Sequence, residues 1–174
     1  MKSFRMKKLW KAISLSLCGI LTAGIIAGCS SENTVDKTTL KFGVTNFADT
    51  LEPTQNYFGW VVMRYAIGEC LAKFDEKMNV QPWLAESWSI SDDHLTWTFK
   101  IRDNVKFSNG NLVTAEAVKK SIERAFTKNT RAKTFFEYTE MKADGQNLII
   151  TTSKPQPNMP GFLADPLFII VDVS

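Results

Sequence analysis

The stretch Leu95-Thr96-Trp97-Thr98-Phe99-Lys100-Ile101-Arg102 alternates strictly between apolar and polar side chains. Successive side chains of a β-strand point to opposite faces, so Leu95, Trp97, Phe99 and Ile101 share one face of a strand that covers a core. Trp88-Ser89-Ile90 predicts its neighbour, with Asp92-Asp93-His94 as the hairpin turn between them. Downstream, Ser108-Asn109-Gly110 reads as a second turn, because Asn-Gly tolerates positive φ. Thr114 is placed to cap a helix on which Ala115, Val118, Ile122, Ala125 and Phe126 fall on one face, and Glu116 suits its positive end.

The flanking segments complete a mixed pattern. Leu40 to Val44 predicts a first strand, 46–56 a loop around Pro53, and Tyr57 to Leu71 a helix. Leu71 to Phe74 predicts a short strand, Asp75 to Asn79 a turn, and Pro82 to Ala85 one helical turn with proline at its start. Gly145 ends a connection, Leu148 to Ser153 predicts a strand, and Leu167 to Val171 a buried strand. This is mixed α and β, with hairpins and isolated helices, without the regular βαβ alternation of a dinucleotide fold.

The front of the chain has a different character. Lys2, Arg5, Lys7, Lys8 and Lys11 precede an almost wholly apolar or small run from Ala12 to Gly28, the pattern of an export signal. Ile26-Ala27-Gly28-Cys29 resembles the lipobox of bacterial lipoproteins, in which the signal is cut just before a cysteine. That resemblance implies a diacylglycerol on the Cys29 thiol, a membrane anchor, and an extracytoplasmic location at the periplasmic side or the cell surface. Buried acyl chains contribute about 0.8 kcal/mol per CH2, so two or three hold firmly to a bilayer. The expected organisation is a signal over 1–28, a solvated tether over 29–39 and a globular part over 40–174.

Removal of residues 1–28 takes Lys plus Arg from 21 to 16 against 18 acids, so the net charge moves from +3 to −2. The basic balance belongs to the signal and gives no support to a nucleic-acid partner. Of three cysteines, Cys18 lies in the signal and Cys29 is the acylation candidate. Cys70 is then alone in an apolar stretch and is expected to be a buried structural thiol without a disulfide.

Catalytic groups are sparse. The single histidine, His94, sits in a charged turn, and Asp92-Asp93-His94 reads as solvated loop rather than part of a triad, with no G-x-S-x-G nucleophile motif nearby. No phosphate loop and no clustered metal ligands are present in the sequence, so neither cofactor nor metal is expected. Trp83, Trp88 and Trp97 are expected in the core. Binding fits this inventory better than enzymology. A lipoprotein hydrolase, the competing class, would need His94 as its base. An interaction lipoprotein that binds no small ligand is a third reading.

One long stretch is more specific. Leu84-Ala85-Glu86-Ser87-Trp88, the strand Thr96-Trp97-Thr98-Phe99-Lys100-Ile101-Arg102, then Val105-Lys106-Phe107-Ser108-Asn109-Gly110 and Thr114-Ala115-Glu116-Ala117-Val118 resemble, in order and spacing, the hallmark of the peptide- and nickel-binding family of ABC-transporter substrate-binding proteins, bacterial extracellular solute-binding family 5. The family pattern is L-A-x-S-W, T-x-x-F-x-L-R, V-K-F-H-D-G and T-A-E-D-V; Leu51-Glu52-Pro53 is similar to its L-x-P. Here Ser108-Asn109 replaces H-D, and Ala117 replaces the aspartate of A-E-D-V, which removes an acceptor near the helix start. Members in Gram-positive bacteria are lipoproteins, in keeping with Cys29.

The resemblance implies the N-terminal part of a class II (type C) periplasmic-binding-protein-like fold: the first strand of lobe one followed by an extra subdomain of mixed sheet and helices, with the second lobe missing and the chain apparently truncated. It implies a receptor that captures short peptides for an ABC permease and ATPase, with a nickel or nickel-chelate receptor as the alternative. The segment after the first strand borders the cleft in this family, which makes Asn46, Phe47, Asn56, Tyr57 and Trp60 the candidate ligand-lining residues.

Overall fold

The computed structural model describes residues 38, 39, 41, 43–45 and 49–174. The chain divides into two units, Met1–Gly43 and Val44–Ser174, and every element named below belongs to the second. The signal, Cys29, Leu40 and Phe42 of the expected first strand, and the candidates Asn46 and Phe47 lie outside the described residues. Lys41, Gly43 and Val44 carry no strand.

The alternating stretch forms β4 (Thr96–Ile101), an interior strand of an antiparallel sheet with β3 (Ala85–Ile90), β5 (Glu140–Asp144) and β6 (Asn147–Thr151) in the order β3-β4-β6-β5. Trp97, Phe99 and Ile101 are buried, while Thr96, Thr98 and Lys100 are half-exposed on the opposite face. Register places Phe99 between Trp88 of β3 and Leu148 of β6, and Trp97 between Ile90 and Ile150. Fully burying a residue of this size is worth roughly 1.5–3 kcal/mol, so this single row of side chains anchors the domain.

Helix α2 (Ala115–Lys128) covers that face, packing on β5 and β6 and burying Ala115, Val118, Ser121, Ile122 and Ala125. Its start is where the sequence pattern predicts: Thr114 Oγ1 accepts a hydrogen bond from Ala117 N at 3.1 Å. The Ala117 substitution therefore leaves the first half of the capping arrangement in place. Between α2 and β5 comes the one-turn helix α3 (Ala132–Phe135), whose Phe135 joins Phe126, Phe136, Phe162 and Phe168 in an aromatic cluster with ring separations of 5.1–6.5 Å. At the hinge of the β5–β6 hairpin, Gly145 takes φ +56°, a conformation other residues rarely adopt.

Three further expectations are corrected. The predicted helix from Tyr57 to Leu71 is only α1 (Phe58–Arg64). It stops in a Schellman motif: Ala66 is left-handed at φ +54°, Ala66 N donates to Met63 O and Ile67 N to Val62 O. Pro82 to Ala85 forms no helical turn. Pro82 instead ends β2 (Val80–Pro82), the partner of β1 (Ala72–Phe74) in a two-stranded sheet, where a missing N–H is tolerated. The expected strand from Leu167 to Val171 is buried as far as Ile170 but is not a strand. Asp165 Oδ1 accepts from Leu167 N at 2.8 Å and starts a 3-10 turn over Pro166–Phe168, just after the short helix α4 (Met159–Phe162). Beyond it Ile170 N bonds to Glu69 O, and Val171 N to Ser121 Oγ rather than to a neighbouring strand.

Candidate functional site

The candidate residues that can be described, Asn56, Tyr57 and Trp60, stand together on the loop into α1 and on its first turn. Asn56 is left-handed at φ +50°, a conformation asparagine accepts more readily than most residues, and it turns the loop into the helix. Tyr57 is 67 % exposed and Trp60 46 % exposed. Only Gly59 and Val62 of α1 are buried. The loop and first turn thus present Tyr57 and Trp60 outward, while Phe58, Val61 and Met63 are half-buried and Val62 packs with Cys70 and Ile169.

Polar contacts supply the rest of the attachment. Glu52 and Arg124 of α2 form a two-pronged ion pair, with Arg124 Nη1 donating to Glu52 Oε1 at 2.9 Å and Nη2 to Oε2. Glu52 Oε1 also accepts from Thr54 N at 3.0 Å and Thr54 Oγ1 at 2.6 Å. The Arg124 guanidinium, helped by Thr54, brings the Glu52 carboxyl down to about 2 despite the opposing effect of burial. Asn129, at the C-terminal end of α2, donates from Nδ2 to Thr54 O at 2.8 Å. Behind α1, Gly59 approaches so closely that a Cβ there would lie 2.4 Å from Pro166 O and 3.1 Å from Pro53 O.

Arg131, just after α2, reaches Tyr57. Its guanidinium carbon lies 5.0 Å from the Tyr57 ring centre and 5.6 Å from that of Phe135, so it contacts both rings. Its charge meets Asp165 Oδ1 at 3.5 Å, and its buried Nε has no hydrogen-bond partner among the described residues. The unpaired Nε is buried and not offered to solvent, so the guanidinium, with its charge met by Asp165, acts on Tyr57 by packing over its ring. Nothing local in the sequence marks Arg131, and it was not among the expected site residues.

Two open grooves flank the loop. One, of about 840 Å³, runs between Thr50–Pro53, the α2 face bearing Lys120, Arg124 and Lys128, and the segment Val171–Ser174. The other, of about 400 Å³, includes Leu51, Val62, Ile67 and Ile169. Neither is lined by Asn56, Tyr57 or Trp60. The segment at their common edge is tied down by Asp172, whose carboxylate accepts from Asn109 Nδ2 and Asn111 Nδ2, each at 2.7 Å, and from Ser174 N at 3.0 Å. Those donors hold its pKa below the usual carboxylate range. The Ser108-Asn109-Gly110 turn is therefore a structural clasp.

Asp93 and Cys70 have local partners. Asp93 Oδ1 takes bonds from Ser91 Oγ at 2.5 Å and Leu95 N at 3.0 Å, and His94 is left-handed at φ +60° in the same turn. Cys70 is fully buried and its thiol donates to Asp165 O at 3.3 Å; burial pushes its pKa up. Trp97 is buried as expected, while Trp83 and Trp88 are half-buried against the core. Among the described residues, no group of three or more His, Cys, Asp or Glu side chains could hold a metal ion, and no helix is long and apolar enough to cross a membrane.

Residues 79–174 match the profile of the bacterial extracellular solute-binding proteins, family 5 (middle). The chain belongs to that family. Its sequence is 28 % identical over 150 residues to the nickel-binding protein NikA of Staphylococcus aureus, a match covering 86 % of this chain and 30 % of the relative. Over a shorter stretch of 46 residues it is 56 % identical to the probable D,D-dipeptide-binding periplasmic protein DdpA of Escherichia coli, covering 26 % of this chain and 9 % of that one. The nickel ABC transporter structure from Bacillus halodurans superposes with a TM-score of 0.67 at 39 % identity, covering 71 % of this chain and 26 % of the other. The family 5 chain thus spans under a third of the length of these relatives, and its mixed sheet and helices are part of their type C fold.

Proposed function

We propose that this chain is part of the solute-capturing receptor of an ABC importer, working outside the membrane with a permease and ATPase and performing no chemistry on its cargo. The observation that carries this reading is the resemblance in sequence and fold to the Bacillus halodurans nickel transporter structure. The exposed Tyr57 and Trp60, with Arg131 packed against Tyr57, form the face proposed to meet the solute. Asn46 and Phe47 precede this face in sequence and are proposed to extend it.

Two cargoes fit. A short peptide is the ligand expected from the sequence, and the D,D-dipeptide-binding relative favours it. Nickel or a nickel chelate is the alternative, favoured by the nickel-binding relatives. Titration of the full chain with nickel(II) plus L-histidine, and separately with di- and tripeptides, followed by calorimetry and tryptophan emission, separates them. Saturable binding of one probe selects that cargo; binding of neither overturns the reading of this face as a ligand site.

The lipid anchor is the second half of the proposal. A diacylglycerol thioether on Cys29 would hold the receptor to the membrane surface near its permease. Labelled palmitate should enter the chain in bacterial cells and be lost in Cys29→Ser. Equal labelling of both would remove Cys29 as the attachment point.

A further inference from the structure

We propose that Arg124 is a positioning residue: through Glu52 it fixes the loop that presents Asn56, Tyr57 and Trp60, without touching the ligand itself. The inference rests on the reading of those three residues as the ligand face. Its structural ground is the imbalance in how α1 is held. The helix has no side-chain cap at its start, and buries only one glycine and one valine. Its tertiary packing is chiefly on the 3-10 turn at Pro166–Phe168. The loop before it, by contrast, is tied to α2 by the two-pronged Glu52–Arg124 pair and by Asn129 Nδ2 on Thr54 O at 2.8 Å.

The pair also organises the loop internally. The same Glu52 oxygen that meets Arg124 Nη1 accepts from both the backbone and the hydroxyl of Thr54. Fixing the Glu52 side chain thus fixes the backbone two residues on, and Gln55 O then accepts from Phe58 N at 3.1 Å to start α1. Arg124 is well suited because its planar fork engages both carboxylate oxygens at once, which sets orientation as well as distance. Lys120 and Lys128, which share the groove with Arg124, are point charges and could not set that orientation.

The test is site-resolved amide hydrogen exchange on the full chain with Arg124→Gln, Glu52→Gln, the double variant and Arg124→Lys. The amides of Thr54, Phe58 and Trp60 should exchange roughly ten- to a hundredfold faster in either single variant, the range of a lost charge-assisted hydrogen bond. Amides of β4 should keep their protection, which a general loss of stability would not allow. The double variant should be no worse than the singles, since the two residues act as one unit, and Arg124→Lys should restore part of the protection. Unchanged exchange at residues 54–60, or equal acceleration in β4, would overturn the proposal. Nickel–histidine and tripeptide titrations run alongside decide the ligand face separately. If the wild-type chain binds neither probe, that face is not the ligand site, whereas the exchange data still decide whether Arg124 positions the loop.

Discussion

Replacing Gly59 by alanine sets two effects of known size against each other. Glycine inside a helix costs roughly 1 kcal/mol relative to alanine, so on propensity alone the substitution should stabilise α1. The structure opposes this. The new methyl carbon would sit 2.4 Å from Pro166 O, 2.9 Å from Pro166 C and 3.1 Å from Pro53 O. All three are backbone atoms and none can rotate away, so α1 must lift from the 3-10 turn or the turn must move. Overpacking of this kind costs about 1–3 kcal/mol in well-packed interiors, and the rigid obstacle places Gly59 at the upper end. The net expectation is a loss of roughly 1–2 kcal/mol. For a chain of this size, at about 2–4 °C per kcal/mol, that lowers Tm by about 2–8 °C. Thermal unfolding of the full chain followed by circular dichroism measures it, with Gly43→Ala as the control because, among the described residues, no atom lies within 4 Å of a Cβ there. Displacement of α1 should also alter Trp60, which is half-exposed on the outer side of the same helix; a fluorine-labelled tryptophan at that position would report it. A Tm equal to or above that of the parent, with an unmoved Trp60 signal, would refute the close approach of α1 to Pro166 and with it the account of how the aromatic face is seated.

Other expectations follow from the same contacts. Glu52 titrates near 2 in the folded chain rather than at its ordinary 4.5, so its stabilising contribution is complete above pH 4.5 and is lost as the pH falls towards 2. At about 1.4 kcal/mol per pKa unit the ceiling is roughly 3 kcal/mol, reduced by the partial exposure of the pair; urea unfolding of wild type and Glu52→Gln should therefore differ at pH 6 and converge near pH 2. Phe99→Ala, which empties a fully buried site between Trp88 and Leu148, should cost about 3–5 kcal/mol in urea unfolding. Thr114→Ala removes the cap on Ala117 N and should cost about 1 kcal/mol, while Thr114→Ser should keep most of it.

The parts of the fold that were legible are those in which a local pattern and the tertiary contact agree. β4 alternates because one face is buried, and α2 shows its buried stripe and its Thr114 cap in the linear sequence. The hairpin turns at His94 and Gly110 are written in residues that accept positive φ. The failures share an opposite cause. Glu140-Met141-Lys142-Ala143-Asp144 offers one large apolar residue, and it becomes β5 through pairing that sets Met141 beside Ile150. The apolar run after Arg64 favours continuing the helix, yet Gly68 must pass within reach of Ile169, where even a Cβ would meet a methyl carbon at 2.6 Å. Leu167 to Val171 has the composition of a buried strand, but Pro166 and the Asp165 cap select a 3-10 turn first.

The same distinction separates the residues of the candidate face from those that hold it. Tyr57 and Trp60 could be singled out because the segment after the first strand borders the cleft in the family that the sequence resembles. Arg124 and Arg131 could not, because along α2 and its exit they look like any other cation on a solvated helix. What distinguishes them is a partner far away in sequence: Glu52 for one, Tyr57 and Asp165 for the other. Both arginines reach the loop from α2 and its exit, and α2 is itself set on the sheet by the buried stripe that the sequence does reveal. On the proposed reading, the aromatic face is seated on the legible core through two side chains whose partners appear only once the chain is folded.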